Sequence, residues 1–273
     1  MSILMAGQGQ ARRQAQMALQ DILSGLSLWT LWGKLGWNDI LQRYRRSFLG
    51  PLWITASMAI MVIALGVVYS RIFKTELRDF MPFLCVGLLI WGYVSSILVE
   101  AGTLFTGAES YIKQIRLPYS LYVFRFIWSK MIIFAHNFVV YIGVLFYFHA
   151  WPGSVILYAI PGFLLVTANG ALASISLGMV SARFRDIPQI ITSVVQIIFF
   201  VTPIMWKPEL LGDNQSLMTF NPFFYLVEVM RAPLLGQVPS AQIYLATILI
   251  TVLNAMFAML FFVRFRSRIS YWV

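Results

Sequence analysis

Two histidines, one cysteine and ten acids are all that this 273-residue chain offers for acid–base, nucleophilic or metal chemistry. Cys85 lies inside an apolar run, so neither an intramolecular disulfide nor a cysteine metal cluster is open to it, and a small buried hydrophobe is its simplest role. His136 sits in the middle of another run beside Asn137, where an interhelical hydrogen bond is the commoner role and a step in a proton path the rarer one. The chain contains no G-x-x-x-x-G-K-[ST] phosphate loop, no H-E-x-x-H zinc pair and no G-x-S-x-G nucleophile turn. It therefore has no familiar means of hydrolysing ATP, and catalytic and metal-ligating residues are both expected to be none. Glu228 and Arg231, three apart, can pair on one helical face, which lowers the cost of holding both near a membrane.

The elements that position these groups are membrane spans. The composition is 60% hydrophobic and 11% charged, against about 25% charged in soluble domains. Six segments free of Asp, Glu, Lys and Arg are long enough to cross the roughly 30 Å hydrocarbon layer: 52–70, 80–99, 131–150, 154–181, 187–206 and 241–263. Pro161, Pro188 and Pro203 interrupt some of them, which neighbouring helices and waters tolerate. The expected fold is all-α, a polytopic membrane protein with six transmembrane helices over 51–273, preceded by a 1–50 segment that carries an interfacial helix. Arg12 and Arg13 precede no compact apolar stretch with a cleavage site, so the first span itself is expected to direct insertion.

Orientation follows from Lys and Arg. With the N-terminus inside, the inner segments hold Arg12, Arg13, Lys34, Arg43, Arg45, Arg46, Lys113, Arg116, Arg125, Lys130, Arg183, Arg185, Arg264, Arg266 and Arg268. The outer segments hold Arg71, Lys74, Arg78, Lys207 and Arg231, offset by Glu76, Asp79, Glu209, Asp213 and Glu228, so the whole net charge of +10 falls inside. The positive-inside rule then puts both termini in the cytoplasm. Anionic membrane lipids account for this basicity, spread over short loops and tails, and no nucleic-acid partner is expected.

Three stretches are not simple spans. Trp37, Ile40, Leu41, Tyr44 and Phe48 recur at helical spacing opposite Asn38, Asp39, Gln42, Arg43, Arg45 and Arg46, which predicts an interfacial helix capped by Asn38 or Asp39 and ended by a turn at Gly50-Pro51. It serves either as an anchor for the first span or as part of a gate. Glu109 to Arg116, with Tyr111, Ile112 and Ile115 on one side and Lys113, Gln114 and Arg116 elsewhere, predicts a short exposed helix stopped by Pro118. It fits a knob docked in a soluble partner or a plain connecting turn. The outer segment 207–240 is too long for a turn and too apolar for a solvated loop. Asn221-Pro222 signals a helix start, and Phe223 to Ala232 reaches about half the bilayer, either re-entering it or lying flat on the outer surface.

The spans lack the mid-membrane acids that ion-driven transporters use for coupling, so energy is expected from elsewhere. The chain has nine Trp, twelve Tyr and twenty-two Phe. Most belong to interfacial belts and packing, while Trp91, Tyr93, Phe199, Phe200 and Trp206 are candidates to line a channel, since flat aromatic faces suit the C–H faces of sugar rings.

Six short motifs occur in a specific order: R-Y-R-R-S-F-L-G-P-L-W (Arg43 to Trp53), I-K-Q-I-R-L-P (Ile112 to Pro118), R-F-R-D-I (Arg183 to Ile187), T-P-I-M-W (Thr202 to Trp206), N-P-F (Asn221 to Phe223) and R-I-S-Y-W-V (Arg268 to Val273). From about residue 35 to its end the chain thereby resembles the Wzm-like, ABC-2 type permease subunits of O-antigen and capsular polysaccharide exporters. It departs from many of them at Glu109 and Ser110, where they carry Asn ahead of the I-K-K type motif. The resemblance implies a homodimer enclosing a channel in the bacterial inner membrane. It also implies two copies of a separate ATPase that bind ATP and Mg, no cofactor in this chain, and a lipid-linked polysaccharide as cargo; the alternative is an exporter of smaller lipids or drugs on the same scaffold. By the same resemblance Glu109, Tyr111, Ile112, Lys113 and Arg116 belong to the ATPase-coupling helix. Trp37, Arg43, Tyr44, Arg45, Arg46 and Phe48 belong to the gate-forming interface helix, and Asn221, Pro222, Glu228 and Arg231 to paired re-entrant helices at the outer mouth.

Overall fold

The computed structural model describes residues 2–209, 212 and 218–273. The outer-segment residues 210, 211 and 213–217, Asp213 among them, lie outside the described residues. The described elements are helical: α1 Ser2–Ser27, α2 Trp29–Arg43, α3 Leu52–Ile72, α4 Leu77–Ala101, α5 Glu109–Gln114, α6 Tyr119–Phe148, α7 Ala159–Arg183, α8 Ile187–Val201, α9 Pro222–Leu234, α10 Ala241–Phe265 and α11 Ile269–Trp272. Among the described residues, five helices are long and apolar enough to cross a membrane: α3, α4, α6, α7 with the 3-10 turn before it, and α10.

Helix α4 is the hub, packing against α3, α6, α7, α8 and α9. Protein buries 72% of its most apolar stretch, against 17–22% in the other four long helices. Those four turn broad apolar faces outward, as helices solvated by lipid do. A buried polar contact ties two of them together. Asn169 on α7 donates to the Thr251 hydroxyl on α10 (2.6 Å), and the Asn254 amide donates to the Asn169 carbonyl oxygens (3.0 and 3.2 Å).

Several boundaries differ from the sequence expectations, each for a tertiary reason. The interfacial helix begins at Trp29 and ends at Arg43, so Asn38 and Asp39 lie within it and cap nothing. Asp39 is engaged instead by Arg125 of α6. Tyr44, Arg45 and Arg46 form a turn in which Arg46 takes φ +70°, and Phe48 beyond it is 99% exposed. Gly50, at φ +55°, turns the chain into α3 as expected. The third apolar helix starts at Tyr119, twelve residues ahead of the uncharged window, because Arg125 and Lys130 find acidic partners and need not stay outside the helix.

The three prolines bracket helices rather than break them. Pro161 is in the first turn of α7, Pro188 is the second residue of α8, and Pro203 follows the end of α8, positions where no intrahelical N–H is lost. The expected span 187–206 is helical only to Val201, and its 15 helical residues rise about 22 Å. His136 also differs from expectation. Its Nδ1 lies 2.8 Å from the carbonyl oxygen of Ile132 on its own helix, and the link from α6 to α3 runs from the Thr55 hydroxyl to the His136 carbonyl oxygen (3.0 Å).

Candidate functional site

The short helix α5 follows a 3-10 turn at residues 106–108 and stops at Gln114, because Ile115 is extended. Pro118, with its fixed φ, precedes the first turn of α6 instead of stopping α5. Glu109 and Lys113 pair at 2.6 Å along the exposed face. The hydrogen bond from the Lys113 ammonium, reinforced by its charge, holds the Glu109 carboxyl below the usual carboxylate range. Ile112 packs inward on the core, while Tyr111 and Ile115 stay exposed, as does Arg116. The expected apolar side of this helix is therefore split, with only Ile112 anchoring it.

Tyr111 also carries the guanidinium of Arg125, 5.6 Å from its ring centre. Arg125 grips Asp39 with two hydrogen bonds, Nε to Oδ2 at 2.7 Å and Nη2 to Oδ1 at 2.5 Å. A bidentate pair of this kind fixes orientation as well as distance. α5, α6 and α2 are thus joined in series. One turn further along α2, Arg43 donates to Glu100 of α4 (2.9 Å), and the same carboxylate pairs with Lys130 of α6, which is 1% exposed. A cavity of about 520 Å³ opens between these groups, lined by Asp39, Arg43, Glu100, Thr103 and Arg125. Trp37, Arg45 and Arg46 are exposed and Tyr44 is half-buried.

At the opposite end, T-P-I-M-W and N-P-F meet. Asn221 caps α9 by accepting the Phe223 N–H (3.0 Å), and its amide donates to the hydroxyl of buried Thr202 (3.0 Å). Pro222 occupies the first helical position, where its missing N–H costs nothing. Arg231, 2% exposed, donates from Nε (2.8 Å) and Nη2 (2.5 Å) to Glu228, and from Nη1 to the Pro203 carbonyl oxygen (2.5 Å). Its guanidinium lies 4.6 Å from the Phe83 ring centre. The expected Glu228–Arg231 pair is present, and α9 is the helix expected after Asn221; it is one helix of this segment among the described residues.

The candidate channel aromatics fall into two groups. Tyr93 is buried between Phe134 and Phe163 with its hydroxyl 3.0 Å from that of Thr167, and buried Trp91 packs on Phe199 and Phe223. Phe200 is exposed, and Phe199 and Trp206 are partly so.

The pairing of Glu100 with Lys130 is not legible in the sequence because each sits just outside an uncharged window. The available signal was their symmetry: one closes an apolar run, the other opens the next, and a reversal between the two runs returns them to one depth. Replacing Asn221 with Ala is expected to cost about 1–2 kcal/mol, because the α9 cap and the Thr202 partner go together. Denaturant unfolding of the purified protein measures this, and a stability within error of the unmodified chain would contradict the assignment.

The profile of a family described as ABC-2 type transporter matches residues 30–235, a range that includes both clusters. An O-antigen export system permease protein RfbA from Myxococcus xanthus is 21% identical over 199 residues, covering 71% of this chain and 76% of that protein. A protein of the same description from Klebsiella pneumoniae is 22% identical over 195 residues, 70% of this chain and 74% of its own.

Proposed function

The chain belongs to the ABC-2 type transporter family, and from that premise we propose that it is the channel-forming half of an exporter for a lipid-linked polysaccharide of the O-antigen type, driven by a separate ATPase. It is the membrane subunit of the transporter and not itself the catalyst. The observation that carries the proposal is the series α5–Arg125–Asp39–α2, which ties an exposed knob to an amphipathic helix at the membrane entry. The printed description of the relatives, O-antigen export, supports the choice of cargo.

In this reading two copies of the chain enclose the channel and two ATPase subunits, which bind ATP and Mg, sit beneath α5. The sixth crossing is made by α8, about 22 Å of helix, together with the bent segment Thr202 to Trp206 that follows it. α9, about 20 Å long, makes a half-crossing at the outer mouth. Six crossings put both termini on the cytoplasmic face of the inner membrane, the side of the basic excess. ATP binding closes the partner, presses on α5, and moves α6 and α2 together through Arg125. Phe199, Phe200 and Trp206, less enclosed than Tyr93, are the aromatics nearest to offering faces to a glycan.

The test is purification with the cognate ATPase, followed by ATP turnover in nanodiscs with and without lipid-linked glycan. A two-plus-two complex whose turnover rises with glycan is the expected result. A complex that answers only to short lipids would move the cargo to that class, and a permease that binds no ATPase would end the exporter reading.

A further inference from the structure

Helix α1 precedes the residues that match the family profile, yet it packs on both α6 and α10. The contact with α6 centres on Asp21, 6% exposed. One carboxylate oxygen accepts the Ser120 N–H (3.0 Å), and the other accepts the Tyr119 N–H (3.2 Å) and a hydrogen bond from Arg266 (2.6 Å). The Ser120 hydroxyl returns a bond to the Asp21 carbonyl oxygen (2.7 Å). One turn on, a Cβ at Gly25 would meet the Ser120 hydroxyl oxygen at 2.1 Å, so the two backbones approach as closely as glycine allows.

Tyr119 and Ser120 are the first two residues of α6, and the residue before them, Pro118, has no side-chain acceptor for their N–H groups. Asp21 supplies that cap from ninety-eight residues away. Only residues 115–118 separate this capped turn from α5. Between α1 and that connection lies an open cavity of about 720 Å³, lined by Gln20, Asp21, Ser24, Lys113, Arg116 and Arg266. The connection is thus held to α1 at its α6 end and leaves room for α5 to tilt.

We propose that α1 braces the α5–α6 corner and that Asp21 is a positioning residue for energy coupling: it holds the first turn of α6 fast, so that a push on α5 moves α6 instead of bending the connection. This rests on the reading that α5 is the ATPase contact. Arg266 orients the carboxylate and brings the C-terminal end of α10 into the same clamp.

The experiment uses the whole complex with its ATPase in nanodiscs and reads glycan transported per ATP hydrolysed. Asp21→Ala complexes that assemble and melt as the unmodified complex does are expected to lose this ratio at least fivefold. Arg266→Gln, which keeps the cap, is expected to lose less than twofold. Asp21→Asn keeps an oxygen for the N–H groups but not the charge; it should fall between, and it decides the matter if Asp21→Ala does not assemble. A normal ratio in assembled Asp21→Ala or Asp21→Asn complexes overturns the proposal. Ile115→Asp, at an exposed position just past α5, separates the two ideas. If it abolishes ATPase binding while the Asp21 variants couple normally, only the brace fails; if ATPase binding survives it, the docking reading itself fails.

Discussion

Substituting Arg231 with Met is expected to strip the fold of a large part of its stability. The guanidinium is 2% exposed and answers three demands at once: the Glu228 charge, the Pro203 carbonyl oxygen and the face of Phe83. A Met side chain fills similar volume but leaves Glu228 without its counter-charge and the carbonyl without a donor. Breaking a buried ion pair from one side typically costs about 3–5 kcal/mol, a large part of the roughly 5–15 kcal/mol that holds a folded domain together. Arg231→Lys is expected to recover part of this only, since one ammonium cannot reproduce a planar fork aimed at two acceptors. Yield of monodisperse protein and its melting temperature in detergent give the reading. An Arg231→Met variant that purifies and melts normally would show that the outer cluster is not what seats α9 on the Pro203 segment.

Glu100→Ala is the second large effect. Glu100 serves Arg43 and Lys130, but the two partners differ in what they lose. Arg43 is about half exposed and can turn to water, while Lys130 is 1% exposed and would keep its charge without a counter-ion. The expected loss is again about 3–5 kcal/mol, and it comes almost wholly from Lys130. Adding Lys130→Met to Glu100→Ala should therefore restore stability, giving a coupling energy of the opposite sign to the single losses. Unfolding midpoints of the two single variants and the double variant provide the cycle. Additive losses would mean that Lys130 has another way to neutralise or solvate its charge.

These two cases also show how much of the site was legible. Glu228 and Arg231 are three residues apart, so helical geometry alone places them together, and Asn221 caps a helix that starts one residue later. Contacts of that range are written in local spacing. Arg43–Glu100, Asp39–Arg125 and Asp21–Arg266 join residues 57, 86 and 245 positions apart, and no periodicity carries such information. The same ignorance misplaced helix limits. Without their partners Arg125 and Lys130 read as membrane-excluded charges, which places the start of α6 too late, and Asn38 or Asp39 reads as the cap of a helix that in fact begins at Trp29.

The sequence by itself determined the solvent and the class. Long uncharged apolar segments have no stable alternative to crossing a bilayer as helices, since backbone groups in hydrocarbon must bond within their own segment. It also determined the two local signals that mark the ends of the molecule, the short helix after Ala108 and the start of α9. Only the tertiary structure decided that α4 is the enclosed centre, that α8 ends at Val201, and that α1 caps α6 through Asp21. The physical reason is one of range. Hydrophobic length and capping are properties of neighbouring residues, whereas a buried charge is tolerated or not according to the group that packing brings against it.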